Sequence, residues 1–145
     1  MKKRIILLFL IFLSGMLFAQ QHLFSQAKAL FDDGKYSASQ SILNQLSISD
    51  NNTSESMYLK AKCSKELFLS DAVLLYNELN EEFPYHEYKD DVNKDLALLY
   101  YRARQYDNAI SSFLAVKDLS NEHLFKLAYA YFIVDSLEEA QFYFS

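Results

Sequence analysis

Small and large apolar residues recur along the chain in a fixed order. A small residue with a bulky one a helical turn later occurs at Ser39 and Leu43, Ala72 and Tyr76, Ala109 and Phe113, and Ala140 and Phe144. These anchors are separated by 33, 37 and 31 positions, a period of about 34 that signals a solenoid of stacked units. Ahead of each anchor lies another small residue, at Ala27, Ala61, Ala97 and Ala128. Between the two lies a short break carrying an apolar residue at Tyr36, Leu69, Tyr106 or Leu137. Each unit therefore reads as helix, turn, helix.

The pattern predicts helices over residues 20–33, 36–47, 54–66, 70–82, 90–103, 106–118, 121–134 and 137–145. A small residue on each helix of a pair lets two backbones approach, and the bulky residue a turn later fills the space between neighbouring units. No helix of this kind buries its face alone, so the units must stack around one continuous core. Local punctuation falls at the same breaks. Gly34 ends the first helix, Asp50 to Ser54 is a polar connection, Pro84 follows the fourth helix, and Ser136 with Glu139 forms a capping-box pattern before the last.

Composition narrows the class further. Among 145 residues, 51% are hydrophobic, which is ample for a core, and only two Gly and one Pro occur. So few turn formers are unusual for a protein of strands and tight turns and favour long helices with brief connections.

The N-terminus stands apart. Lys2, Lys3 and Arg4 precede the unbroken apolar run Ile5 to Leu13, then come Ser14 and Gly15, and Ala19 precedes Gln20 and Gln21. That order reads as a secretory signal peptide over residues 1–19. The alternative is a retained membrane anchor, although Ile5 to Ala19 is shorter than the roughly 20 residues that span a bilayer. Leu17 is large for its place ahead of the cut, which leaves the exact site open. No cysteine follows the run to take a lipid. Loss of residues 1–19 removes three bases and no acid, moving the net charge from −5 to about −8. Nucleic acid is a poor partner for such a surface. Cys63 is the single cysteine, so no internal disulfide forms, and it reads as a small buried hydrophobe.

With those positions in place, the chain resembles the tetratricopeptide repeat (TPR) family. The third unit matches best through Leu96, Ala97, Tyr100, Tyr106, Ala109 and Phe113, and the fourth follows with Leu127, Ala128, Tyr131, Leu137, Ala140 and Phe144. The first keeps Ala27, Leu30, Gly34-Lys35-Tyr36 and Leu43 but places Ser39 where the family favours Ala. In the second the turn is one residue short, while Pro84 falls at the family's closing proline. A related helical-hairpin repeat is the alternative. The resemblance covers residues 20–145 and implies an all-α, right-handed α-solenoid of about four units, the last incomplete.

The resemblance also implies a concave face formed by the first helix of each unit, where the family commonly holds its partners. Carried over, that face consists of Phe24, Lys28 and Phe31 from unit one and Tyr58, Lys62 and Lys65 from unit two. Unit three adds Lys94, Leu98, Tyr101 and Arg102, and unit four adds Phe125, Tyr129 and Phe132. Rings with scattered cations suit a peptide or protein segment. Aromatics at helical spacing also serve as packing between repeats, and each ring has that second reading.

Catalytic chemistry finds little support. His22, His86 and His123 are far apart in the repeat register and read as solvated side chains, so no metal and no cofactor are expected. There is no glycine-rich phosphate loop and no nucleophile motif. Asp32-Asp33, Glu81-Glu82, Asp90-Asp91 and Glu138-Glu139 read as helix ends and solvated faces, and the sequons in Asn51-Asn52-Thr53-Ser54 as loop chemistry. No small-molecule substrate is expected, and membrane contact only through an uncleaved N-terminal segment.

The last stretch, Gln141-Phe142-Tyr143-Phe144-Ser145, is rich in rings where a solenoid normally closes with a polar face. Further repeats or a partner are expected to cover it. The reading that results is a non-enzymatic interaction scaffold, exported to the periplasm or cell envelope. The alternative is an N-terminal sensory or accessory repeat domain of a larger envelope protein.

Overall fold

The structure is a computed structural model and describes residues 21–47 and 53–144. The segment read as a signal peptide, the sequon residues Asn51 and Asn52, and Ser145 lie outside the described residues. Among those described, all regular structure is helical. The helices are α1 (21–32), α2 (Tyr36–Ser47), α3 (Ser54–Glu66), α4 (Ala72–Glu82), α5 (Lys89–Arg102), α6 (Tyr106–Leu114), α7 (Asn121–Ile133) and α8 (Leu137–Phe144). They follow the expected order of helix, short turn, helix.

The same backbone device closes the first helix of all four units. Gly34, Phe68, Arg104 and Asp135 sit at φ of 74°, 56°, 60° and 63°. Each is flanked by the same two hydrogen bonds. In unit one the Gly34 amide donates to the Phe31 carbonyl at 2.9 Å and the Lys35 amide to Leu30 at 2.8 Å. The matching long bonds are Leu69 to Ser64 at 2.9 Å, Gln105 to Tyr100 at 2.9 Å and Ser136 to Tyr131 at 2.9 Å. This is a Schellman cap, in which a left-handed residue lets two amides satisfy the last free carbonyls of the helix. Only in unit one does glycine occupy the left-handed position.

Next, the chain re-enters a helix. In three units the anchor amide bonds the residue just after the left-handed one: Ser39 to Lys35, Ala109 to Gln105 and Ala140 to Ser136, each at 3.0 Å. Unit two has one residue fewer. Its Ala72 amide makes a tighter turn to the Leu69 carbonyl, at 3.5 Å, and regular helix starts late. The start of α4 is thus Ala72 rather than the expected 70.

A second departure is the end of α6 at Leu114, rather than at 118 as the sequence suggests. The Ala115 and Val116 amides close a tight turn onto Ser112 and Phe113, and the Lys117 amide donates to Asp90 Oδ1 at 2.9 Å. That carboxylate, from the first turn of α5, takes an amide that a longer helix would have used. The bond to Lys117 holds the Asp90 carboxyl below the usual range, helped by Lys94.

The described chain divides into two compact units, one up to Leu75 and the other from Tyr76 onward. In the first, Ala27, Leu43, Leu46, Leu59 and Cys63 form the core, edged by Leu23, Phe24, Phe31, Tyr36 and Ile42. α3 begins with a capping box in which Thr53 Oγ1 accepts from the Ser56 amide at 3.1 Å and Ser56 Oγ accepts from Thr53 N–H at 3.0 Å. Cys63 is fully buried, and burial pushes its thiol above the ordinary range against a hydrogen bond to Ser39.

In the second unit, Ala97, Ala109, Ile110, Phe113, Leu127 and Ala130 form the core. α5 packs on α6, α6 on α7, and α7 on α8. Fully burying a Leu or Phe contributes about 1.5–3 kcal/mol, so Phe113 and Leu127, both at 0% exposure, anchor this unit. Tyr76 is equally buried, and its hydroxyl donates to Asp95 Oδ2 at 2.7 Å.

All eight small packing residues, Ala27, Ser39, Ala61, Ala72, Ala97, Ala109, Ala128 and Ala140, are buried. Ser39 donates from Oγ to the Ala27 carbonyl at 2.8 Å. One histidine differs from the solvated state expected of it. His86, in the bend after Pro84, is buried, with Nε2 3.0 Å from Asn80 Oδ1 and Nδ1 lacking a hydrogen-bond partner.

Candidate partner-binding surface

The proposed face divides between the two units. In the first, Phe24 and Phe31 are half-buried against the core, and Phe31 meets Tyr36 edge to face at 5.1 Å. These rings act largely as packing. Lys28 Nζ pairs with Glu55 at 3.1 Å, Lys65 with Glu66 at 3.3 Å, and Lys62 Nζ lies 5.8 Å from the centre of the Tyr58 ring.

Within the second unit the rings converge. Tyr101 on α5 lies 5.7 Å from Tyr106 at the start of α6 and 6.2 Å from Tyr129 on α7, and Tyr106 lies 6.5 Å from Tyr129. Tyr129 in turn lies 6.5 Å from Phe132. Ring pairs at these separations add about 0.5–1.5 kcal/mol each beyond their area, which favours holding the side chains against one another. Burial, and the neighbouring Tyr106 and Tyr129 hydroxyls, push the Tyr101 phenol above its ordinary range.

The inner edge of the cluster is core and the outer edge is open. Leu98, Tyr101 and Tyr106 pack against the second unit's core, while Tyr129 is 37% and Phe132 54% exposed. Lys94 pairs with Asp90 at 3.2 Å, Arg102 is exposed, and Phe125 is exposed with its ring 5.5 Å from Phe144. Of the residues carried over from the resemblance, Tyr101, Tyr129 and Phe132 are thus brought together. Lys28, Lys65 and Lys94 instead face carboxylates of their own chain.

Tyr106 belongs to this cluster but was read from sequence as a turn residue. A tyrosine directly after a helix break, with another tyrosine at the end of the preceding helix, is the signal that could have found it. Among the described residues no three His, Cys, Asp or Glu side chains converge as metal ligands, and no helix is long and apolar enough to cross a membrane.

Four capped helical hairpins with buried small residues at both helices define a TPR-type α-solenoid fold. Solved structures carry the same fold. MamA AMB-1, a TPR-containing protein, superposes with a TM-score of 0.73 at 18% identity over 86% of this chain and 69% of that chain. MamA MSR-1 does so with a TM-score of 0.69 at 19% identity over 86% and 72%. No protein-family model matches the sequence, and no curated protein matches it either.

Proposed function

We propose that this chain is a non-enzymatic protein-protein interaction scaffold that holds a peptide or protein segment on the aromatic surface of its second unit. The observation that carries this reading is the run Tyr101, Tyr106, Tyr129 and Phe132, whose rings touch in sequence and whose outer members remain open to solvent. Rings held against one another supply apolar area at low entropy cost, and open aromatic patches commonly mark interfaces. The TPR-type fold supports the same reading, since stacked hairpins present extended surfaces for partners.

Exposed ion pairs are worth little. Lys94, on the same unit as the rings and in a partly solvated pair with Asp90, can therefore exchange that carboxylate for one of a partner, giving orientation while the rings give affinity. The basic, apolar and small-residue order of residues 1–19 supports export, and hence a partner in the periplasm or cell envelope.

Affinity capture from envelope extract tests the reading, with the wild-type chain beside a Tyr129→Ser, Phe132→Ser variant. Both rings lie on the open edge of the cluster, and far-UV circular dichroism checks that the variant keeps its helices. Loss of a discrete captured protein in the variant supports the proposal. Equal recovery by both chains rules out this surface.

A further inference from the structure

Two faces of this chain are halves of a junction that it already builds once internally. In that junction α6 packs on α7. Phe113, Leu127 and Ala130 are fully buried in one cluster with Ile110, and the Phe113 ring lies 5.9 Å from His123. The α7 side of the contact is thus His123, Leu127 and Ala130, which share one face of the helix.

α1 repeats the α7 side in register. Both helices carry His-Leu-Phe, as His22-Leu23-Phe24 and His123-Leu124-Phe125, at the same spacing ahead of their buried small residues Ala27 and Ala128. The counterparts of His123, Leu127 and Ala130 on α1 are His22, Gln26 and Ala29, and all three are exposed. α8 repeats the α6 side. Aligned on Ala109 and Ala140, Ile110 corresponds to Gln141 and Phe113 to Phe144. Both are exposed, with Phe144 at 49% where Phe113 is at 0%.

The differences between the internal junction and the open halves match each other. Ile110 and Leu127, apolar members of the covered cluster, are replaced by Gln141 and Gln26, an amide on each side. An amide tolerates water while the face is open and can donate to and accept from another amide when it is covered. Phe144 and Ala29 retain the large and small characters that let Phe113 seat near Ala130.

We propose that α8 of one copy docks on α1 of a second copy, repeating the α6 and α7 packing between molecules. Phe144 takes the place of Phe113 against His22 and Ala29, and Gln141 meets Gln26. Such a contact is heterologous, joining head to tail, so association continues beyond a dimer as concentration rises unless the rotation closes a ring. It uses neither Tyr129 nor Phe132 and stands independently of the partner surface proposed above.

Sedimentation velocity of the purified chain over rising concentration tests it, using Ala29→Glu to block the α1 face and Phe144→Asp to block the α8 face. Gln26→Arg and Phe144→Ser are the substitutes if circular dichroism shows either variant misfolded. The wild type is expected to grow from monomer through dimer to larger species, and each variant alone to lose that growth. An equimolar mixture of the two variants retains one intact α8 face and one intact α1 face, so it should recover a species of doubled mass and nothing larger. A wild type monomeric at every concentration overturns the proposal, as does a mixture that stays monomeric. Loss of association in the Phe144 variant alone overturns it too, since that pattern denotes an α8 to α8 pair.

Discussion

Ser39 Oγ donates to the carbonyl of Ala27 at 2.8 Å across the first helical hairpin, with both residues at 0% exposure. Ser39 is where the resemblance to the TPR family expects alanine. The hydroxyl is small enough for the helices to approach and, once buried, finds its acceptor in the opposing small residue. A net intramolecular hydrogen bond contributes about 0.5–1.5 kcal/mol. Ser39→Ala should therefore cost about 1 kcal/mol or less, whereas Ser39→Leu overpacks the contact and should cost about 1–3 kcal/mol or more. Urea denaturation of both variants checks the order.

In the second unit, Tyr76 and Asp95 form the buried counterpart of that contact, at 2.7 Å. Tyr76→Phe keeps the ring but takes a donor from a buried carboxylate, with an expected loss of about 1–3 kcal/mol. Tyr76→Ala also leaves a cavity and should cost about 3–5 kcal/mol. A phenylalanine variant as stable as wild type would show that Asp95 does not depend on the phenol.

Acid should weaken the second unit through His86. Burial first, and Lys89 second, depress its pKa below the ordinary 6.5, while Nδ1 has no partner to receive a new N–H. The unfolded chain thus binds a proton at higher pH than the folded one does. Stability contributed by neutral His86 is complete above 6.5 and is lost as pH falls from there through the folded-state pKa. Denaturation midpoints measured across this interval should fall for wild type and change less for His86→Asn. Parallel slopes would exclude His86 as the source.

The left-handed turn residues respond to substitution in opposite directions. A left-handed conformation costs a non-glycine residue roughly 1–2 kcal/mol, partly offset by the chain entropy glycine loses on folding. Arg104→Gly, at φ 60°, should stabilise by up to about 1 kcal/mol in thermal denaturation. Gly34→Ala should destabilise by a comparable amount. A Cβ there meets nothing within 4 Å, so the φ of 74° alone is responsible.

The small residues made the helices legible. Alanine or serine at eight recurring places has no better explanation than close approach, and all eight are buried. The left-handed turns at Phe68, Arg104 and Asp135 were not legible, because nothing in those side chains announces a positive φ as Gly34 does. The early end of α6 depends on Asp90, distant in sequence, taking the Lys117 amide. Local pattern cannot report such a contact.

The candidate surface was legible in part for a similar reason. Tyr101, Tyr129 and Phe132 were carried over from the resemblance to the TPR family, whereas the place of Tyr106 among them depends on how α6 leaves its turn. The pairing of Lys28 with Glu55 likewise joins two helices and has no local signature.

Photo-crosslinking in living cells asks whether the open rings of the second unit hold a protein partner. A photoreactive phenylalanine analogue replaces Phe132 on the surface or, as the control, exposed Ser111 on α6. A discrete crosslinked protein is expected from position 132 and none from 111. Crosslinking at 111 with none at 132 would place the partner away from these rings.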